Sequence, residues 1–180
     1  IAGDVGSYET YVGKVEIIRV SGASVAGVVT GDPASIDIAS FEAAMKAARG
    51  DVIVTSCGFL SYWQGYLETL TQRPFISSSL GALDRFTDHE INTLAILTYD
   101  DAKLGEVHLG NNARFAPCII GLDPDARLRA VIGGNAMNLD AKRAAHETVE
   151  TVRAQTTSAL QTLLLECTNL PPYKDALRSA

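Results

Sequence analysis

The sequence lacks several features that would assign it to a special class of protein. No apolar stretch approaches the roughly 18 to 20 residues needed to span a bilayer, and the N-terminal stretch has neither the basic start nor the apolar block of a signal peptide. The three cysteines form no CxxC pair and are odd in number, which does not suggest a disulfide framework. We therefore expect a cytoplasmic protein with reduced thiols and no contact with a membrane.

Long runs of one charge are also absent. The net charge is -6, and no basic cluster offers a surface for nucleic acid. The three histidines, His89, His108 and His146, lie far apart and form no compact ligand pattern, so no metal site is predicted. The composition therefore favours a small molecule as the binding partner.

What the chain does contain is an alternation of apolar runs and amphipathic segments. The apolar runs predict strands, and the continuous apolar character of the runs predicts a parallel sheet covered on both faces. The fold class is therefore α/β. The predicted strands cover 15–20, 51–56, 74–79, 94–99, 117–122 and 162–167, and the predicted helices cover 36–49, 60–71, 83–89, 100–111 and 140–154.

Two cysteines occupy matching contexts, which indicates two related halves. Cys57 ends the run DVIVTSC and Cys167 ends the run QTLLLEC, and each is followed by a helix-start signal. We place the boundary so that residues 1–84 form an N-terminal α/β domain with Cys57, and residues 85–180 form a second α/β domain with Cys167. The third thiol, Cys118, is predicted to be a core residue.

The two cysteines are predicted to lie beyond the carboxyl ends of strands, where ligands bind in parallel α/β folds. A helix N-terminus there would lower the thiol pKa by favouring the thiolate. Asn169 fits a helix N-cap after Cys167, and Gly58 would let the backbone approach a ligand closely. Glu166 would oppose thiolate formation, but strand alternation would turn its side chain away from that of Cys167.

Polar neighbours of the cysteines complete the candidate site, some of them with equally good structural explanations. The serine run could bind a carboxylate or cap the helix before Leu80, Thr98 could form a capping box with Asp101, and Asp4 could face the cleft or only close a turn. The predicted catalytic pair is Cys57 and Cys167, and the predicted substrate-binding residues are Asp4, Thr55, Ser56, Gly58, Ser78, Ser79, Thr98, Thr168 and Asn169.

The motifs TSCGFL and LECTNLPPY, with GDVGSYETY, PFISSSL and LAILTYDD, resemble the cofactor-independent aspartate/glutamate racemase superfamily. The resemblance implies two pseudo-symmetric α/β domains with the active site in the cleft between them, a homodimer, and a substrate carboxylate bound at Thr168. It also implies that Cys57 and Cys167 are the acid and base of a two-base proton transfer that needs no cofactor. The predicted function is a racemase for an amino acid such as aspartate or glutamate.

This chain departs from the racemase pattern at both cysteines. Gly58 and Phe59 stand where glutamate racemases usually carry Asn-Thr, and Thr168 and Asn169 stand where they carry Thr-His. Two alternatives follow: a related isomerase or decarboxylase that acts on a small carboxylic acid, or a ligand-binding module without turnover. Family members also usually extend further at both ends, so a trimmed chain is expected.

Overall fold

The computed structural model describes residues 2–134 and 136–180 and shows a mixed α/β architecture with parallel strands. Two small sheets are present in this described part. The strands are β1 (Ile53–Val54), β2 (Phe75–Ile76), β3 (Leu94–Thr98), β4 (Ile119–Gly121) and β5 (Thr162–Leu165). The α-helices are α1 (Val25–Val28), α2 (Ile38–Ala47), α3 (Gln64–Glu68), α4 (Glu106–Leu109), α5 (Arg127–Gly133), α6 (Ala141–Gln155) and α7 (Lys174–Arg178).

The larger sheet has the order β4-β3-β5, and both pairs are parallel. All five residues of β3 are buried, as expected for a central strand covered on both faces. Glu166 N–H donates to the carbonyl of Leu97 at 2.9 Å, so the backbone pairing extends one residue beyond β5. The strand end therefore places Glu166 and Cys167 at the carboxyl edge of this sheet.

The smaller sheet contains only β1 and β2, which pair in parallel with Ile53 opposite Phe75. Its strands are short, and Val54 and Ile76 remain 50% and 53% exposed. A 3-10 helix, Gly58–Trp63, begins shortly after β1, with Cys57 as its N-cap. This sheet therefore brings Cys57 to a strand end, as the sequence predicts.

The predicted strand at 15–20 is absent, which is a correction. The residues from 12 to 20 have no ladder partner in the described chain, and Val12 is fully exposed. The segment is attached to the rest of the chain through the side chain of Glu16. Its carboxylate accepts from the backbone N–H of Arg49 at 3.1 Å and from the guanidinium of Arg49 at 2.8 Å. A β-branched pattern alone does not make a strand where no paired edge is available.

Helices follow the predicted segments in part. The segment 36–49 contains α2, and the segment 140–154 matches α6 to within one residue at each end. The N-cap of α6, Asp140, accepts from the backbone N–H of Arg143. The predicted helix at 100–111 is α-helical only from Glu106 to Leu109. The segment 60–71 is 3-10 helix as far as Trp63 and then α3, whereas the segment 83–89 is largely 3-10 helix. The helix-start signal after Cys167 is followed by the 3-10 turn Pro171–Tyr173 and by α7, and α1 and α5 have no counterpart among the predicted helices.

The hydrophobic core includes one cluster with residues from both sides of the predicted boundary at 84. Phe59, Leu60 and Leu83 pack in it with Ile96 and Phe115. Cys118 is buried in the same cluster, which confirms its assignment to the core. The division into two pseudo-symmetric domains stays a prediction. No helix in the described ranges is long and apolar enough to cross a bilayer.

Candidate functional site

Cys57 and Cys167 line one cavity of about 530 Å³. Each thiol comes from the turn after a parallel strand, so the two sheets present their carboxyl ends to the same space. Its lining also includes Arg19. Other residues around it are Val25, Val28, Phe41, Ser56, Gly58, Phe59, Tyr99, Ile132, Glu166, Thr168 and Asn169.

Glu166 is the charged residue buried most deeply beside this cavity. Its side chain is 1% exposed, and Oε2 accepts a hydrogen bond from Thr98 Oγ1 at 2.6 Å. Oε1 has no hydrogen-bond partner among the described residues. Burial raises the pKa of this carboxyl to about 7, although the Thr98 hydrogen bond favours the ionised form.

Both thiols are harder to ionise than an ordinary cysteine. Burial and the nearby charge of Glu166 raise the pKa of Cys57 to about 12, and the same two causes raise the pKa of Cys167 further. The backbone N–H of Phe59 and that of Asn169 donate to the respective sulfurs and oppose this rise only in part. The prediction of lowered thiol pKa values is wrong, because desolvation and a buried carboxylate outweigh the dipole of a short helical turn.

Glu166 is also the residue whose role the sequence analysis missed. Strand alternation predicts that its side chain turns away from that of Cys167, but the carboxyl group packs against Gly58, where its charge affects both thiols. A Cβ at position 58 would overlap Oε1 and Cδ of Glu166, so only glycine leaves room for this carboxylate. An acid within the apolar run LLLEC was the available signal, because a buried strand end seldom accepts an uncompensated charge.

Asn169 does not cap a helix, contrary to prediction. The following 3-10 turn, Pro171–Tyr173, has Leu170 as its N-cap. The side chain of Asn169 instead donates from Nδ2 to Asp4 Oδ2 at 2.7 Å, while its Oδ1 lies 3.8 Å from the Cys167 sulfur. Asn169 thus connects the second thiol to the loop at the start of the chain.

Asp4 closes a turn and also contacts the site. Its Oδ1 accepts from the backbone N–H of Gly6 at 2.7 Å, and its Oδ2 accepts from Asn169. Gly3 has a φ of +95°, and a Cβ there would meet the Pro172 backbone at 2.9 Å. The turn is therefore observed, and Asp4 reaches the site only through Asn169, because Asp4 itself does not line the cavity. Its role in substrate binding stays a prediction.

A hydrogen bond between Thr168 and Ser56 joins the turn after β5 to the turn after β1. Thr168 Oγ1 donates to the carbonyl of Ser56 at 2.5 Å, between residues 112 positions apart. Both residues line the cavity, as does Gly58. The Thr168 hydroxyl is therefore already engaged with the protein, and its assignment to substrate binding stays a prediction.

The remaining predicted binding residues make structural contacts and do not line this cavity. Thr55 Oγ1 donates to the carbonyls of Ser77 and Cys57. Ser78 caps the following 3-10 helix by accepting from Leu80 N–H at 3.1 Å, which confirms the capping alternative, and Ser79 donates to the Leu165 carbonyl at 2.9 Å. Thr98 binds Glu166 and is not the N-cap of an α-helix, so its capping box is not formed.

Arginine is the side chain best suited to bind a carboxylate, and of Arg19, Arg73 and Arg114 only Arg19 lines the cavity. Arg73 donates to the Ala48 carbonyl, and Arg114 pairs with Asp88 at 3.0 Å. Among the described residues, no group of three or more histidine, cysteine, aspartate and glutamate side chains is arranged to hold a metal ion. The site thus combines two thiols, one buried carboxylate and one exposed guanidinium around a largely apolar space.

Comparison with known proteins finds curated relatives in the alga Emiliania huxleyi. The chain is 32% identical over 150 residues to dimethylsulfoniopropionate lyase 7, covering 74% of this chain and 43% of the relative. It is 29% identical over 147 residues to dimethylsulfoniopropionate lyases 3 and 6, covering 71% of this chain and 37% of each relative. The chain thus spans less than half the length of these relatives.

No family model matches the sequence, and no solved structure matches it. The relatives that do match are named as lyases, which cleave a substrate without inverting a stereocentre. The prediction of an amino-acid racemase, and of the isomerase class with it, is therefore wrong.

Proposed function

We propose that this chain carries the active site of a lyase that eliminates a sulfide from a 3-sulfoniocarboxylate such as dimethylsulfoniopropionate. The observation that carries the proposal is the convergence of Cys57 and Cys167 on one cavity beside the buried Glu166. The names of the relatives supply the reaction class and the substrate. Of the functions predicted from the sequence, the alternative of a related isomerase or decarboxylase that acts on a small carboxylic acid is the nearest to this proposal.

The reaction needs a base at the α-carbon and little else. One thiolate removes the α-proton, the electrons of that C–H bond form the Cα=Cβ bond, and the Cβ–S bond breaks. The sulfur leaves with the bonding pair as neutral dimethyl sulfide, and acrylate remains. Because the leaving group is neutral, no acid has to protonate it, so a single basic thiol accounts for the chemistry.

The raised thiol pKa values fit a substrate that brings its own positive charge. A sulfonium cation beside the thiols favours the thiolate, since an opposite charge nearby lowers a thiol pKa. The free site thus keeps its thiols protonated, and the bound substrate promotes ionisation. Arg19 at the cavity is placed to attract the substrate carboxylate.

The superfamily resemblance remains compatible with this proposal. Racemisation and the proposed elimination share one step, in which a thiolate removes a proton α to a carboxylate. Elimination then takes the place of reprotonation when Cβ carries a good leaving group. The proposal retains the expected small-molecule substrate. The expected homodimer stays a prediction.

The decisive experiment incubates the purified, reduced protein with dimethylsulfoniopropionate and measures dimethyl sulfide in the headspace and acrylate by proton NMR. Cys57→Ser and Cys167→Ser are compared with Cys118→Ala, whose thiol lies in the core away from the cavity. We expect equal amounts of sulfide and acrylate, with a loss of at least about a hundredfold in one or both cavity variants and near wild-type turnover in Cys118→Ala.

Two results would contradict the lyase proposal. Folded wild-type protein that binds the substrate without releasing sulfide would favour the ligand-binding module. Undiminished release by the double variant Cys57→Ser/Cys167→Ser would show that neither thiol is the base.

A further inference from the structure

The carboxylate of Glu166 is buried without a positively charged partner. In the described ranges its side chain takes part in no ion pair, and its one hydrogen bond comes from the neutral hydroxyl of Thr98. By contrast, the other buried acid among the described residues, Asp100, pairs with Arg129 at 3.2 Å. A buried carboxylate is costly unless a cation or several hydrogen bonds compensate it.

The fold makes specific room for this uncompensated group. Gly58 leaves the space that Oε1 and Cδ occupy, and Thr98, which is 0% exposed, holds Oε2. These contacts fix the carboxylate against the cavity wall, where its charge already raises the pKa of Cys57 and of Cys167. Its field therefore reaches the space in which the proposed chemistry takes place.

The cavity beside Glu166 suits a cation that carries methyl groups. Aliphatic and aromatic side chains, including Val25, Val28, Phe41, Phe59 and Tyr99, form much of its lining. Such walls accept methyl groups, and they do not offer the water or hydrogen-bond acceptors that an ammonium or guanidinium group requires. Aromatic rings also attract onium cations through their faces.

We propose that Glu166 is the specificity-determining residue that selects a methylated onium cation, through its charge at the wall of the cavity. The inference rests on the proposed lyase function and names the feature of the substrate that the site requires. Arg19 also lines this cavity and supplies a positive charge for the carboxylate of a zwitterion. The two charges together favour a short molecule with a cation at one end and a carboxylate at the other.

Cation binding by Glu166 should depend on pH. The ionisable groups that face it are Cys57 from the turn after β1 and Cys167 from the turn after β5, with Tyr99 and Arg19 also at the cavity. Thr98 on β3 contributes only a neutral hydroxyl. Glu166 gains its charge as the pH rises through about 7, and the affinity for an onium ligand should rise over the same interval.

A matched pair of stable ligands separates the effect of the cation's charge from the effect of its shape. The probe 3-(trimethylammonio)propionate and its isostere 4,4-dimethylpentanoate both carry a carboxylate and differ only at the branched centre, which is a positively charged nitrogen in the first and an uncharged carbon in the second. Isothermal titration calorimetry at pH 8 should show the wild type binding the betaine roughly 10- to 100-fold more tightly. In Glu166→Gln this preference should fall to within about threefold, while the Gln side chain still accepts from Thr98.

The exposed Glu150→Gln variant removes the same charge far from the cavity and should keep the wild-type preference. If Glu166→Gln does not fold, the same ligand pair is measured with wild-type protein at pH 8 and pH 5, and the preference should fall at the lower pH. A preference that persists at both pH values, or in Glu166→Gln, would overturn the inference.

The headspace assay separates this inference from the lyase proposal. Sulfide release by the wild type, with an unchanged ligand preference in Glu166→Gln, would overturn the role of Glu166 and keep the lyase. A preference that depends on Glu166, with no sulfide released, would keep the cation subsite and overturn the lyase.

Discussion

The carboxyl group of Glu166 packs against the backbone of Gly58, where no side chain could be accommodated. Besides Oε1 and Cδ, the Glu166 carbonyl oxygen would lie 2.9 Å from a Cβ at position 58. Gly58→Ala should therefore force the carboxyl group or the backbone to move. We expect the free energy of unfolding to fall by about 1 to 3 kcal/mol, the usual range for overpacking, measured by urea denaturation.

Gly65→Ala is the matched control for this substitution. Gly65 lies in α3, and a Cβ there meets nothing within 4 Å. Since alanine is the better helix former, we expect unchanged or slightly higher stability. In a Glu166→Ala background, Gly58→Ala should cost less than in the wild type, and equal costs in both backgrounds would contradict the proposed contact.

The free energy of unfolding should depend on pH through the ionisation of Glu166. Burial raises its pKa in the folded state to about 7, from an ordinary value of 4.5. Between these values the folded protein holds a proton that the unfolded chain releases, so stability falls as the pH rises and the penalty is complete above pH 7. Glu166→Gln, which cannot ionise, should gain about 3 kcal/mol relative to the wild type between pH 4.5 and pH 8.

Urea denaturation of both proteins across this pH interval checks the prediction. The difference between the two curves is the relevant quantity, because the other ionisable groups are common to both. A difference that does not change with pH would show that Glu166 has an ordinary pKa.

Alkylation should report the raised pKa of Cys57. With a pKa of about 12, this thiol should react with iodoacetamide at pH 8 roughly a hundredfold more slowly than an ordinary thiol, after allowance for its higher intrinsic nucleophilicity. Because Glu166 contributes to the raised pKa, Glu166→Gln should accelerate the reaction. Mass spectrometry of the peptide that contains Cys57 measures the rate, and unfolding in urea provides the ordinary-thiol reference.

The hydrogen bond from Asn169 to Asp4 should contribute to stability as well as to the site. Asn169→Ala removes the donor at 2.7 Å and leaves Asp4 Oδ2 without that partner, which should lower the free energy of unfolding by about 1 to 2 kcal/mol. Asn169→Asp should cost more, because two carboxylates would then face each other. Denaturation midpoints of the two variants test the order, and equal midpoints would contradict it.

Much of the fold was predictable because burial leaves a clear pattern in the sequence. The continuous apolar runs located β3, β4 and β5, and the amphipathic segment after Asp140 located α6. The run at 15–20 has the same composition but no partner strand, and pairing is a tertiary property that composition does not encode. The apolar spacing does not distinguish a short 3-10 helix from an α-helix, because both place apolar residues three positions apart.

The candidate site was predictable where two signals agreed. Cys57 and Cys167 share a context, and both line the cavity. The role of Glu166 is not predicted, because the sequence does not show that Gly58, 108 positions earlier, leaves room for its carboxyl group. The roles of Ser78 and Thr98 needed coordinates, since a hydroxyl at a strand end can serve a cap, a carboxylate or a ligand equally well.

The contact between Asp4 and Asn169 joins residues 165 positions apart, and the contact of Thr98 with Glu166 joins residues 68 positions apart. Such contacts close large loops, whose entropy must be overcome before the contacts contribute any stability. The cavity should consequently be among the last parts of the molecule to form during folding. A partly folded chain could contain most of its secondary structure and still have no place for a ligand.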